Sequence, residues 1–160
     1  MSASEKCSGS RFTSSVPTGL TALPAVAGVY LLVMHLLERR EISVGRLGSR
    51  TFWQGWYLYA GSAKGPGGIR ARCNRHLRLD KRLRWHIDYL TQIAQVRQVW
   101  FAEHLSEMRV VAELMCCQGL EQPVDGFGAS DSRARSHLFY TPVCPDPSRL
   151  TSEMSLYLPE

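Results

Sequence analysis

The chain has 160 residues, of which 44% are hydrophobic, and a formal net charge of +5. That length suits one domain with tails, and the apolar content supports a core. No apolar run reaches membrane-spanning length and the Ser/Thr-rich start lacks a hydrophobic signal core, which argues against membrane insertion and secretion and for a cytoplasmic protein.

Residues 1–20 carry few large apolar groups and are expected to be a disordered tail. Gly28 to His35 is an apolar, partly β-branched run that reads as a core strand. Glu38 to Glu41 reads as a turn, and Ile42 to Leu47 alternates apolar and polar like a strand with one wet face. Gly48 to Gln54 is then a connection, and Gly55 to Gly61 a third strand. Lys64-Gly65-Pro66-Gly67-Gly68 cannot continue a strand and opens a helix over Ile69 to Leu79. A second helix is expected around Arg84 to Ala94, a fourth strand over Val96 to Ala102, and a third helix from an N-cap at Ser106 to about Cys117. Gly126 to Tyr140 is mostly loop, closing on Leu138-Phe139-Tyr140, and residues 143–160 read as an irregular tail. The expected fold is α/β: a small sandwich with a short, mainly antiparallel central sheet flanked by helices, its domain spanning residues 21–142. Five cysteines show no metal-ligand spacing, and the adjacent Cys116 and Cys117 read as buried thiols.

The charge is concentrated in one place. Between Lys64 and Arg84 lie eight basic residues against the single acid Asp80, a net +7 that leaves the rest of the chain at −2. Such a ridge suits a polyanion. On a helical wheel starting at Ile69, Cys73 and Leu77 complete an apolar stripe that should face the sheet, with Arg72 and His76 on its border one turn apart. Arg70, Arg75 and Arg78 point further out, where they suit phosphate contacts.

Gly28-Val29-Tyr30, answered by Tyr59-Ala60-Gly61 and then by Gly68-Ile69-Arg70-Ala71-Arg72-Cys73-Asn74-Arg75-His76, resembles the GIY-YIG endonuclease family. Arg84-Trp85-His86-Ile87-Asp88-Tyr89-Leu90, Gly126 to Asp131 and Ser136 to Tyr140 resemble one branch of it, sometimes found fused to a DNA-repair glycosylase. The resemblance implies metal-dependent hydrolysis of DNA phosphodiesters. Tyr30 would orient or deprotonate water, with Tyr59 as a second hydroxyl. Arg72 would stabilise the pentavalent phosphate and His76 would assist proton transfer. One Mg2+ or Mn2+ would sit on a third-helix glutamate, Glu107 or Glu113, with Glu107 closer to the branch pattern. Gly61 would allow close backbone approach, and Lys64, Arg70, Arg75, Arg78 and Arg82 would grip the DNA, whether duplex, branched or damaged. Where the branch carries cysteines this chain has Ser132, Ala134 and Met108, so a metal or redox role for that set is not expected. His86, Asp88, Asp131 and His137 read as structural hydrogen-bonding residues. Two other readings stand beside the nuclease: a catalytically silent nucleic-acid-binding module, and an interaction domain serving a repair-protein partner.

Overall fold

The computed structural model describes residues 22–149 and 153–160. The expected tail over residues 1–20 lies outside the described residues.

Sheet order follows from one strand that is apolar on both sides. In β1 (Gly28–Leu36) the even positions Tyr30, Leu32, Met34 and Leu36 join one apolar cluster, while Val29, Leu31 and Val33 join a second. A strand sealed on both faces reads as a continuous apolar run, and it belongs at the centre of a layered structure. β1 lies between β4 (Gly55–Ala63) and β5 (Gln95–Ala102), and the five-stranded sheet runs β6-β4-β1-β5-β7, with β6 over Leu138–Thr141 and β7 over Ser155–Tyr157. Every neighbouring pair is antiparallel. One face is covered by Ile69 and Cys73 of α1 (Gly68–Leu77) and by Ile87 and Leu90 of α2 (His86–Leu90). The other face is covered by Val110, Val111 and Leu114 of α3 (Glu107–Met115). The α/β sandwich expected from the sequence is the fold observed.

Several boundaries differ from expectation. The strand expected over Ile42 to Leu47 is instead β2 (Arg40–Ser43), a 3-10 turn and β3 (Ser49–Phe52), which pair as a separate hairpin. The left-handed backbone at Gly45 and Gly48 turns the chain there, while Val44 tucks inward fully buried. α2 is shorter than expected at both ends: Asp88 accepts the backbone N–H groups of Arg84 (2.8 Å) and Trp85 (3.0 Å), which fixes the helix start at His86, and residues 91–93 form turns rather than more helix. The tail expected to be irregular contributes β7. Cys116 and Cys117 follow the end of α3 with Cys116 exposed and Cys117 half-buried, so the expected burial of that pair is not observed.

The seating of α1 depends on backbone contacts at both ends. At its start the N–H groups of Ile69 and Arg70 donate to the carbonyls of Val26 (2.8 Å) and Pro24 (2.9 Å), in the segment leading into β1. Gly68 sits so close to that segment that a Cβ would lie 2.0 Å from the Val26 oxygen. At its end the Lys81 ammonium donates to the carbonyls of His76 (2.9 Å) and Arg75 (3.3 Å) and to Thr91 Oγ1 (2.8 Å). Asp88, fully buried, then ties α1 to α2 through a two-pronged pair with Arg75 at 2.5 and 2.8 Å.

Asp88→Asn should therefore lower unfolding free energy by about 3 kcal/mol, the scale for removing one partner of a buried ion pair. Asp125→Asn, which breaks the exposed Asp125–Arg135 pair, should change it by under about 1 kcal/mol. Urea unfolding of both variants gives the comparison; equal losses would remove Asp88 from the centre of this network.

Candidate active site

Tyr30, Tyr59, Gly61, Arg72, His76 and Glu107, singled out in the sequence, line one cleft of about 480 Å³, whereas Lys64, Arg70, Arg75, Arg78, Arg82 and Glu113 do not. Its floor is the α1 face of the sheet, where Tyr30 and Tyr59 lie with ring centroids 6.5 Å apart. Arg72 and His76 of α1 form one wall. Arg84 and Trp85, just ahead of α2, form another, and Glu107 at the start of α3 and Asp131 from the loop before β6 also line the cleft.

Tyr30 is the most constrained member. Its hydroxyl lies 2.8 Å from His76 Nε2, and both side chains are almost fully buried. Gly61 stands opposite in the register of β1 and β4, where a Cβ would come 2.3 Å from the Tyr30 hydroxyl. The close approach expected of Gly61 toward substrate is thus an approach toward Tyr30, whose ring fills the missing side chain's space. Burial, with Tyr59 and Cys73 nearby, pushes the Tyr30 phenol well above its usual range, so it holds its proton at neutral pH. Tyr59 is pushed up likewise by burial and by Glu107.

His76 lies inside the buried stripe rather than on its border. Burial, reinforced by Lys81 and opposed by Asp88, holds its imidazole down to about 3, so it is neutral. Among the described residues its Nδ1 has no hydrogen-bond partner, and it lies 3.9 Å from an Asp88 oxygen. That negative charge favours the tautomer with the proton on Nδ1, leaving Nε2 to accept from Tyr30. Asp88 itself is drawn below the usual carboxylate range: burial opposes its charge, but Arg75 and the Trp85 and Arg84 amides outweigh it.

Arg72 extends into the cleft with its guanidinium 4.3 Å from the Trp85 ring, and Arg75 lies 4.1 Å from the same ring. Arg75 does not point outward to phosphate as expected. Its fork is held by Asp88 and its side chain is only 18% exposed, because a buried carboxylate needs a partner. Arg70 is exposed but donates from Nε to the Leu23 carbonyl at 2.7 Å. Lys64, Arg78 and Arg82 are exposed outside the cleft lining, and Arg84, also exposed, lines the cleft.

The glutamate alternatives separate clearly. Glu107 faces the cleft, while Glu113 lies two turns along α3 and pairs with Arg109 at 3.1 Å. Glu107 Oε1 is 3.3 Å from Nδ1 of the buried His137, whose Nε2 contacts Ser132 Oγ at 2.8 Å. The Glu107 contact holds the His137 imidazole above its usual range against the effect of burial. Among the described residues no group of three or more His, Cys, Asp or Glu forms a ready-made cage. Two carboxylates, Glu107 and Asp131, line the cleft and are hard oxygen donors of the type Mg2+ or Mn2+ takes. Of the four residues read as structural, Asp88 and His137 are buried hydrogen-bonding hubs and His86 Nδ1 accepts the Gly128 N–H at 3.0 Å, whereas Asp131 is exposed at the cleft. Trp85 carried no assignment of its own in the sequence; an aromatic residue after a run of arginines was the signal available.

The family model described as "Domain of unknown function DUF123" matches residues 29–157. The chain belongs to that family. Neither the curated proteins nor the solved structures contain a match to it. Among the described residues no helix is long and apolar enough to cross a membrane.

The neutral, buried His76 has a measurable consequence. Its folded value of about 3 lies below the ordinary 6.5. Below pH 6.5 the unfolded chain takes a proton that the folded one refuses, so the stability His76 contributes is complete above that pH and lost as pH falls toward 3. At pH 5 the loss should be about 2 kcal/mol, and His76→Gln should abolish that share of the acid slope in urea unfolding between pH 7 and 5. An unchanged slope would mean that His76 carries its charge in the folded state.

Proposed function

For this member of the DUF123 family, we propose a metal-dependent endonuclease that hydrolyses phosphodiester bonds in DNA and acts in the cytoplasm. The observation that carries the reading is the Tyr30–His76 hydroxyl–imidazole pair, placed in one cleft with the Arg72 guanidinium and the Glu107 carboxylate. A binding module needs positive charge but has no use for a buried proton acceptor behind a tyrosine. A recurring site resemblance to GIY-YIG enzymes supports the same assignment of Tyr30, Tyr59, Arg72, His76 and Glu107.

Water attacking phosphorus must lose a proton as the new P–O bond forms, and the old P–O bond breaks with its electron pair on the departing sugar oxygen, which takes a proton from solvent. Neither Tyr30 nor His76 is a strong base alone. Together they offer a path: the Tyr30 oxygen accepts from water while its own proton passes over 2.8 Å to His76 Nε2, and the charge that arrives on the imidazole meets Asp88 at 3.9 Å from Nδ1. Arg72 supplies donors to the phosphate oxygens as charge gathers on them, with its fork held by Trp85. A divalent cation on Glu107, when bound, supplies Lewis-acid stabilisation of the phosphate and the leaving oxygen. Tyr59 adds a second hydroxyl on the floor, and the exposed Lys64, Arg70, Arg78, Arg82 and Arg84 hold the backbone on either side.

Arg72→Ala should lower single-turnover cleavage about 100-fold or more with only a modest loss of DNA affinity, and Arg72→Lys should recover little of it, because an ammonium lacks the planar fork. Arg78→Ala, which removes only a ridge charge, provides the comparison. Proportional losses of binding and cleavage in both variants would reduce Arg72 to a phosphate contact. A second test separates the two glutamates: Glu107→Gln should abolish Mg2+- or Mn2+-stimulated cleavage, while Glu113→Gln keeps it. Full activity in Glu107→Gln, or no cleavage by the unsubstituted protein across duplex, flap, junction and abasic substrates, would refute the mechanism.

A further inference from the structure

Next to the cleft lies a second hollow of about 200 Å³, and Arg72 and Trp85 line both. Its other walls are Gly65 and Pro66 of the loop ahead of α1, Gly68 and the exposed Ala71 of that helix, and Arg75. Among the described residues no acidic side chain lines it. The hollow adjoins the cleft at Arg72 and Trp85, walled by small apolar groups and rimmed by the Arg72 guanidinium, the Asp88-held fork of Arg75 and an indole.

Resting on the nuclease reading, we propose that this hollow is a subsite for an unpaired nucleobase next to the scissile phosphate, which makes DNA interrupted by an extrahelical nucleotide the preferred substrate over continuous duplex. The connection to Arg72 sets the register. A phosphate gripped by that guanidinium places its attached nucleoside within reach of the hollow. The planar groups there, an indole and two guanidinium groups 4.3 and 4.1 Å from its ring centroid, are of the kinds that stack on bases, and Pro66 and Ala71 add apolar contact. Trp85 is 37% exposed and lines both cavities. Around Gly65 a Cβ would meet nothing within 4 Å, so the mouth is open. The space admits one ring and not a stacked base pair, and a base held in duplex cannot enter it without leaving its partner. Extrahelical bases enter most readily where no pairing must be broken.

The test uses two DNA duplexes of identical sequence, one continuous and one with a single bulged 2-aminopurine, in metal-free buffer so that binding is read without cleavage. The bulged duplex should bind about tenfold more tightly, the scale of one base stacked on an aromatic side chain, and the 2-aminopurine emission should change on binding. Ala71→Leu fills the hollow from the helix side and should erase both the preference and the emission change while affinity for the continuous duplex stays the same. Gly65→Leu closes it from the loop side and should do likewise, which keeps the result independent of how either variant folds. Equal affinity for the two duplexes, or a preference that survives both substitutions, overturns the subsite and leaves the nuclease reading standing. Failure to bind either duplex removes the nucleic-acid reading itself, and the subsite with it.

Discussion

A buried negative charge is the constraint on which the rest of this molecule depends. Asp88 has no contact with solvent, and a carboxylate in that position is tolerable only when cations and N–H groups surround it. The surroundings it requires are the elements of the candidate site. Arg75 is drawn in from α1, the Arg84 and Trp85 amides are drawn in from the segment ahead of α2, and Lys81 stands 3.9 Å away while capping the end of α1. Satisfying one carboxylate thus sets the spacing between two short helices that share few other polar contacts. It also orients Trp85, and through Trp85 the guanidinium of Arg72.

Tyr30 and His76 show the same economy on a smaller scale. The glycine on the neighbouring strand leaves a gap that the Tyr30 ring occupies, and the imidazole closes it from above. Both groups hold one rotamer before any substrate arrives, so little side-chain freedom remains to be lost in the bound state. Their burial disfavours charge on either, while Asp88 opposes that tendency at the histidine.

What the sequence revealed and what it hid divide along physical lines. The central strand was legible because a run such as Leu31-Leu32-Val33-Met34 has only one kind of home, buried on both faces. The N-cap at Ser106 was legible because its requirement is local: a side-chain oxygen three residues from an amide, here accepting from Arg109 at 3.1 Å. The outward direction assigned to Arg75 failed because a helical wheel orders residues by angle around one helix and knows nothing of a carboxylate 13 positions away on another. Glu107 and Glu113 could not be separated on spacing along one helix; their environments differ only because His137 and the cleft meet the first turn while Arg109 meets the second. The role of Gly61 was misdirected for a similar reason, since the atom that needs the space belongs to the opposite strand. β7 was hidden because a three-residue strand carries too little periodicity to stand out from a proline-rich tail.

That short strand has a further consequence. A five-stranded sheet has two edges, each a row of backbone groups that another chain can pair with. Here both edges are brief: β6 offers four residues and β7 three. β7 pairs with Val99, Trp100 and Phe101, the apolar half of β5, and among the described residues leaves that strand's first half, Gln95 to Gln98, without a neighbour on that side. Three of those four residues, Gln95, Arg97 and Gln98, are polar. The C-terminal segment therefore shields the part of the edge most prone to recruit a foreign strand, and polar side chains guard the part it leaves open, so the sheet resists growing into a cross-β assembly.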